Sequence, residues 1–199
     1  MTPNKRDART PQTAPDSPPR PAFVPAPRMP RIDLWPVAVR SAELLRGTLV
    51  RCGPGHRLVG WPESPGVRLQ ALAPWGSESR IAVLDTAAWA WGALRAPGAV
   101  LDFGTGGQRA GGSRAPMTRI HEFAYSEDEI VDFGGFRVTT RVRTVTDLLR
   151  HAEQFTRQHR VACRLLLMEA DQGRADLRDR IAHGRRQYRA TALRRLDAL

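Results

Sequence analysis

The stretch Gly134-Gly135-Phe136-Arg137-Val138-Thr139-Thr140-Arg141-Val142-Arg143-Thr144-Val145-Thr146-Asp147-Leu148-Leu149-Arg150 changes its apolar period partway along. Phe136 and Val138 stand two apart and share a face, the spacing of a strand. From Val145 onward the apolar positions are Val145, Leu148, Leu149, Ala152 and Phe155, the spacing of one helix face. Thr144 with Asp147 three residues later resembles a capping box with Asp in place of Glu. Upstream, Glu129 to Phe133 pairs with Phe136 to Thr139 across Gly134-Gly135, a compact hairpin. A hairpin that runs directly into a helix places the chain in the α+β class.

Downstream of this stretch the pattern stays helical. A second helix is expected over Val161–Asp171, with Leu165, Leu166 and Met168 packing inward and Cys163 buried. Gly173 breaks the chain, and two further helices are expected at Ala175–His183 and Thr191–Leu199. Leu177, Ile181, Leu193 and Leu196 are their inward residues. Upstream, Ala99–Phe103 and Thr118–Tyr125 read as strands, separated by a glycine-rich loop over 104–113. Ile81–Leu94 reads as a helix whose apolar face is Val83, Leu84, Ala87, Ala88, Trp91 and Leu94, capped by Asp85 or Thr86. Helical spacing also covers Val67–Leu72. Before it, Thr48–Cys52 and His56–Trp61 flank Gly53-Pro54-Gly55 as a hairpin, preceded by a short helix at Val37–Arg46. The expected architecture is a small mixed sheet of short strands and hairpins packed with helices, followed by a C-terminal helical segment. Residues 1–30 hold nine of the 16 prolines, which bars helix and central strand, and are expected to be a disordered leader.

Charge narrows the chemistry. The net charge is +11, but only Lys5 of the 31 basic side chains is a lysine. Residues 1–30 carry +3, residues 31–140 carry +1 and residues 141–199 carry +7, so the central body is nearly neutral. A basic helical face attracts phosphate backbones, whereas a solvated arginine-rich face is the bland alternative. With Lys5 confined to the leader, a Walker A loop, Schiff-base catalysis and lysine-dependent nuclease sites are close to excluded. The glycine-rich loop lacks a Gly-Lys-Ser/Thr ending and reads as a flexible connection.

Metal and catalytic constellations are not expected. Cys52 and Cys163 cannot complete a zinc site, and the pair Cys52/His56 lacks a second pair. No Gly-x-Ser-x-Gly elbow is present. Glu127-Asp128-Glu129 reads as a solvated turn, and nothing in sequence pairs Asp102 or Asp132. No stretch approaches ~18 uninterrupted apolar residues and no apolar leader opens the chain, so a cytoplasmic protein without membrane partner is expected.

Three segments together resemble the AbiEi family of antitoxins from type IV toxin–antitoxin systems, in its high-GC actinobacterial form. They are Gly47-Thr48-Leu49-Val50-Arg51 with His56-Arg57-Leu58-Val59-Gly60-Trp61, the Thr86-Ala87-Ala88-Trp89 stretch preceding Gly92, and the quoted stretch with Val138, Thr139, Arg143, Thr144, Asp147 and Leu148. The resemblance covers about residues 32–155. It implies a non-enzymatic protein without cofactor, in which a winged helix binds operator DNA and an α/β domain opposes a nucleotidyltransferase-like toxin without a stable complex. It divides the chain into the leader, a degenerate winged-helix-like segment at 31–66 and an α/β domain with C-terminal helices at 67–199. Only residues 32–46 precede the hairpin, too few for a full winged helix, so DNA binding is expected to be weak and salt-sensitive, led by Arg40, Arg46, Arg51 and Arg57. The motif residues have a structural reading, in which Arg143 and Asp147, four apart, stitch a strand-to-helix junction. Two other readings stand beside this one: an orphan basic nucleic-acid-associated protein without a toxin, and a nuclease-related remnant.

Overall fold

The computed structural model describes residues 29–76, 80–106, 116–170, 173–184 and 187–199. The proline-rich leader through residue 28 and positions 107–113 of the glycine-rich loop lie outside the described residues. No helix among those described is long and apolar enough to cross a membrane.

The fold is mixed α+β. After a short 3-10 turn at Ile32–Leu34 come helix α1 (Val37–Leu45) and the antiparallel hairpin β1 (Leu49–Cys52) and β2 (Gly55–Leu58), followed by α2 (Pro65–Ala71). Ser64 caps α2 by accepting from the Val67 N–H, and Pro65 sits in its first turn, where a missing N–H costs nothing. Two close approaches hold the hairpin on the rest of the molecule. A Cβ on Gly55 would stand 2.1 Å from the Ala71 carbonyl oxygen, and one on Gly53 would stand 2.6 Å from the Trp89 ring.

The body follows as β3 (Ile81–Ala82), α3 (Leu84–Ala90), β4 (Leu101–Gly104), β5 (Thr118–His121), β6 (Ile130–Asp132), β7 (Arg137–Thr139) and helices α4 (Arg141–His151), α5 (Arg157–Met168), α6 (Arg174–His183) and α7 (Arg189–Asp197). The strands form a mixed sheet in the order β5-β4-β3-β7-β6. β3 runs parallel to β7, with Ala82 opposite Val138, and antiparallel to β4. Successive residues of β3 serve the two sides of the sheet. Ile81 and Val83 join the core built by α4, α5, α6 and α7, while Ala82 joins Leu101, Phe103, Val138 and Trp89 beneath α2 and the hairpin.

Several expectations change here. The run from Ile81 does not begin as a helix: its first two residues are the buried central strand, because a short apolar run satisfies a buried strand and a buried helix equally. The switch occurs at Leu84, whose φ of +49° turns the chain sharply into α3, with Val83 rather than Asp85 or Thr86 at the N-cap. α4 begins at Arg141, and its cap is Thr140, which accepts from the Arg143 N–H at 3.3 Å; Thr144 lies inside the helix. On α5, Cys163 and Leu166 are buried as expected, but Leu165 and Met168 face outward.

Candidate functional site

The motif residues converge at the junction of β7 and α4. Val138, Thr139, Thr144 and Leu148 are fully buried, and Asp147 is 1% exposed. The hydroxyls of Thr139 and Thr144 lie 2.8 Å apart, and Thr144 donates to the Thr140 carbonyl at 2.8 Å. Arg143 Nε donates to Asp147 Oδ1 at 2.9 Å, its Nη1 donates to Glu129 Oε2 at 2.5 Å, and its guanidinium lies over the Tyr125 ring. Asp147 Oδ2 has no partner among the described residues. Burial therefore outweighs the Arg143 charge and pushes the Asp147 carboxyl up to about 6. Arg143 is held above its ordinary value by Asp147 and Glu129 against its own burial, which would lower it. Burial raises the Tyr125 phenol as well, with the Asp147 charge adding to it.

A cleft of about 320 Å³ opens beside this junction, lined by Trp91, Glu129, Arg141, Arg143, Glu169 and Arg180 among others. Trp91 Nε1 donates to the Thr139 carbonyl at 2.8 Å, Arg141 lies over the Trp91 ring and donates to Glu169 Oε2 at 3.0 Å, and Arg180 faces Glu129. Each of these cations meets a carboxylate, so the cleft has no surplus charge of one sign to draw in a phosphate. Glu129 is thus no solvated turn residue. It is half-buried, in a 3-10 turn capped by Ser126, because Arg143 pulls it onto α4.

The second motif is distributed. Thr86 is buried and accepts from the Asp102 N–H at 2.8 Å, which ties α3 to β4. Trp89 is buried beneath the hairpin, and its carbonyl accepts from Arg68 Nη1 at 2.6 Å. Gly92, at φ +90°, leads the chain out of α3.

The four arginines expected to meet DNA fall into two pairs. Arg46 donates to Glu43, and Arg57 donates to the Trp61 carbonyl at 2.8 Å and to Glu63, so both are engaged locally. Arg40 on α1 and Arg51 on β1 make no side-chain hydrogen bond or close ion pair among the described residues. Both act on His56, which faces Arg51 across the hairpin; burial first, then these two charges, lowers its pKa.

Several contacts had no signal in the sequence because their partners lie far apart in it. Asp102 is paired after all, accepting from His121 at 2.8 Å across adjacent strands. Asp132 accepts from the Gly135 N–H and closes its turn. His159 Nε2 lies 3.0 Å from Asp85 Oδ1, while His159 Nδ1 accepts from the Thr156 N–H. The second contact leaves Nε2 as the protonated nitrogen that donates to Asp85. Thr156, His159 and Asp85 have triad residue types, yet Thr156 and His159 form the capping box of α5 and Asp85 anchors that helix to α3. Cys52 and Cys163 are both buried, and burial pushes their thiols up to about 11 and about 12, so neither is a reactive thiolate at neutral pH. No group of three His, Cys, Asp or Glu side chains that could hold a metal ion occurs among the described residues.

No family model matches this chain, and no curated protein or solved structure is significantly similar to it.

Proposed function

We propose that the chain is a non-catalytic antitoxin-like or transcriptional regulatory protein of the AbiEi kind, acting through contacts with macromolecules. One observation carries this reading. The residues of its most specific motif form a scaffold: Val138, Thr139, Thr144, Asp147 and Leu148 are turned inward, and Arg143 is held between Asp147 and Glu129. A motif used in this way sets the pose of a surface, and Asp147, whose Oδ2 has no partner among the described residues, is too deeply buried to meet a substrate.

The surface in question is the α1 and hairpin unit. Arg51 stands there without a hydrogen-bonded carboxylate among the described residues, and Arg40 has only the nearby charge of Asp33, which is itself held by Arg31, so both can turn to a phosphate. So few contacts give weak binding that falls steeply with salt, since each neutralised phosphate contributes a slope of about −0.9 in log K against log salt. The localisation that fits this reading is the cytoplasm. In it, a nucleotidyltransferase-like toxin is a functional opponent and does not form a stable complex with the chain.

Growth rescue tests the reading. Co-expression with a nucleotidyltransferase-like toxin encoded beside this chain restores growth, and Asp147→Ala abolishes rescue only to the extent that it unfolds the protein. Rescue lost at an unchanged melting temperature gives Asp147 a direct role and overturns the scaffold assignment. Arg40 and Arg51, which make no side-chain hydrogen bond or close ion pair among the described residues, also favour a second reading, an orphan basic nucleic-acid-associated protein. It is supported if rescue fails while salt-steep DNA binding persists.

A further inference from the structure

A trough of about 650 Å³ lies between the α3–β4 connection and α5, on neither the motif junction nor the arginine surface. Ala93, Leu94 and Ala96 form one wall, and Val161 and Leu165 of α5 form the other. Val161, Leu165 and Met168 are spaced i, i+4 and i+7 on one face of α5, yet they are 46%, 43% and 82% exposed. On helical spacing alone this face belongs in a core. Its ends carry Arg95 and Arg157, both exposed and both without an ion pair or side-chain hydrogen bond among the described residues. The one carboxylate in the lining, Asp85, is held by His159.

We propose that this trough docks an acidic amphipathic helix of a partner protein. The apolar stripe runs from Val161 to Met168, about 10 Å along the helix axis, and so matches two turns of a helix presenting its own i, i+4, i+7 anchors. Arg95 and Arg157 then meet carboxylates flanking those anchors, and they reject a basic helix. A nucleic acid fits poorly: its phosphates would face an aliphatic floor, no Trp, Tyr or Phe lines the trough to stack on a base, and the His159 ring there is held by Asp85, Thr156 and Phe155. A second copy of this chain seated trough to trough fits poorly too, because the two-fold pairing sets Arg95 and Arg157 against their own copies with only the His159-held Asp85 to offset them. This inference does not depend on the antitoxin reading, because any partner with such a helix would use the same trough.

The probe is a fluorescein-labelled 18-residue helical peptide with leucines at i, i+4 and i+7 and flanking glutamates, titrated with the full chain and read by anisotropy. A second peptide carries lysines in place of the glutamates. The glutamate peptide binds saturably and the lysine peptide does not. The double variant Arg95→Glu, Arg157→Glu, which leaves the apolar floor intact, weakens binding at least tenfold. Leu165→Asp abolishes it, and Leu45→Asp, on the distant α1, leaves it unchanged. Circular dichroism melts show that each variant is folded. Absence of glutamate-peptide binding, equal binding of both peptides, or indifference to the Arg95/Arg157 variant overturns the proposal. Displacement of the peptide by duplex DNA, or a dimer that Leu165→Asp dissolves, overturns it in favour of another occupant.

Discussion

Helices α1 and α4 have similar lengths and both carry several aliphatic residues, but they are used in opposite ways. α1 has no buried residue, and Val37 and Leu45 are 69% and 91% exposed. α4 buries Thr144, Val145, Asp147, Leu148 and Leu149 and packs against α3, α5 and α7. The N-terminal unit is attached chiefly through its hairpin, where Leu49 and Cys52 are the buried side chains, while the body closes around α4 on several sides. Apolar content therefore does not decide what becomes core; the number of elements arriving on a helix face does. A unit with so little buried surface opens at a lower free energy than the body.

The sharpest attack on this contrast is Leu148→Ala in the body. Leu148 is fully buried, so the truncation costs about 3 kcal/mol in urea unfolding, within the usual range for a cavity of this kind. A loss below about 1 kcal/mol would mean that α4 is not the centre of the body. Asp147→Ala comes next, at about 3 kcal/mol or slightly less, because it leaves Arg143 half-buried with only Glu129 as its anion. The same measurement reads it, and Arg143→Met with Asp147→Leu recovers part of the loss.

Protonation acts on the body with two opposite signs. His151 is stacked on Phe123, and burial first, with Arg150 second, lowers its pKa to about 4. Its contribution is complete above the unfolded value of 6.5 and disappears as the pH falls toward 4. Asp147 is raised to about 6, so its contribution is complete below about 3.8 and is lost as the pH rises through 6. Melting temperatures measured from pH 7 to pH 4.5 fall less for His151→Phe than for the parent. An identical profile in the variant would remove His151 from the account.

Smaller effects fall on the N-terminal unit. Arg40→Ala and Arg51→Ala leave unfolding unchanged within about 0.5 kcal/mol, and each lowers the salt slope of DNA binding by about 0.9. Unaltered slopes would place the phosphate contacts elsewhere. Leu45→Ser changes stability by less than about 0.5 kcal/mol, as expected for so exposed a side chain. A larger loss would show that α1 is packed after all.

Much of the fold was legible where turn chemistry punctuates the sequence. Gly53-Pro54-Gly55 and Gly134-Gly135 announced both hairpins, and α1, α2, α6 and α7 fall close to their expected positions. What could not be read is what depends on distant partners. Ile81-Ala82 becomes a central strand only because β4 and β7 arrive on either side of it. Three threonines near the start of α4 compete for the cap, and only the backbone path selects Thr140. The outward turn of Leu165 and Met168 follows from how α4 seats Cys163 and Leu166. For the motif junction, the Arg143–Asp147 pair was visible as i, i+4, while Glu129, fourteen residues upstream, carried no signal.

The missing side chains at Gly53 and Gly55 have a consequence for the arginines they never touch. With the hairpin backbone resting directly on Ala71 and on the Trp89 indole, there is no shim to adjust, and the mounting angle of Arg51 relative to the sheet is set by bare main chain. A single methyl at position 55 would pry that joint apart and re-aim the cationic tip with every arginine still in place.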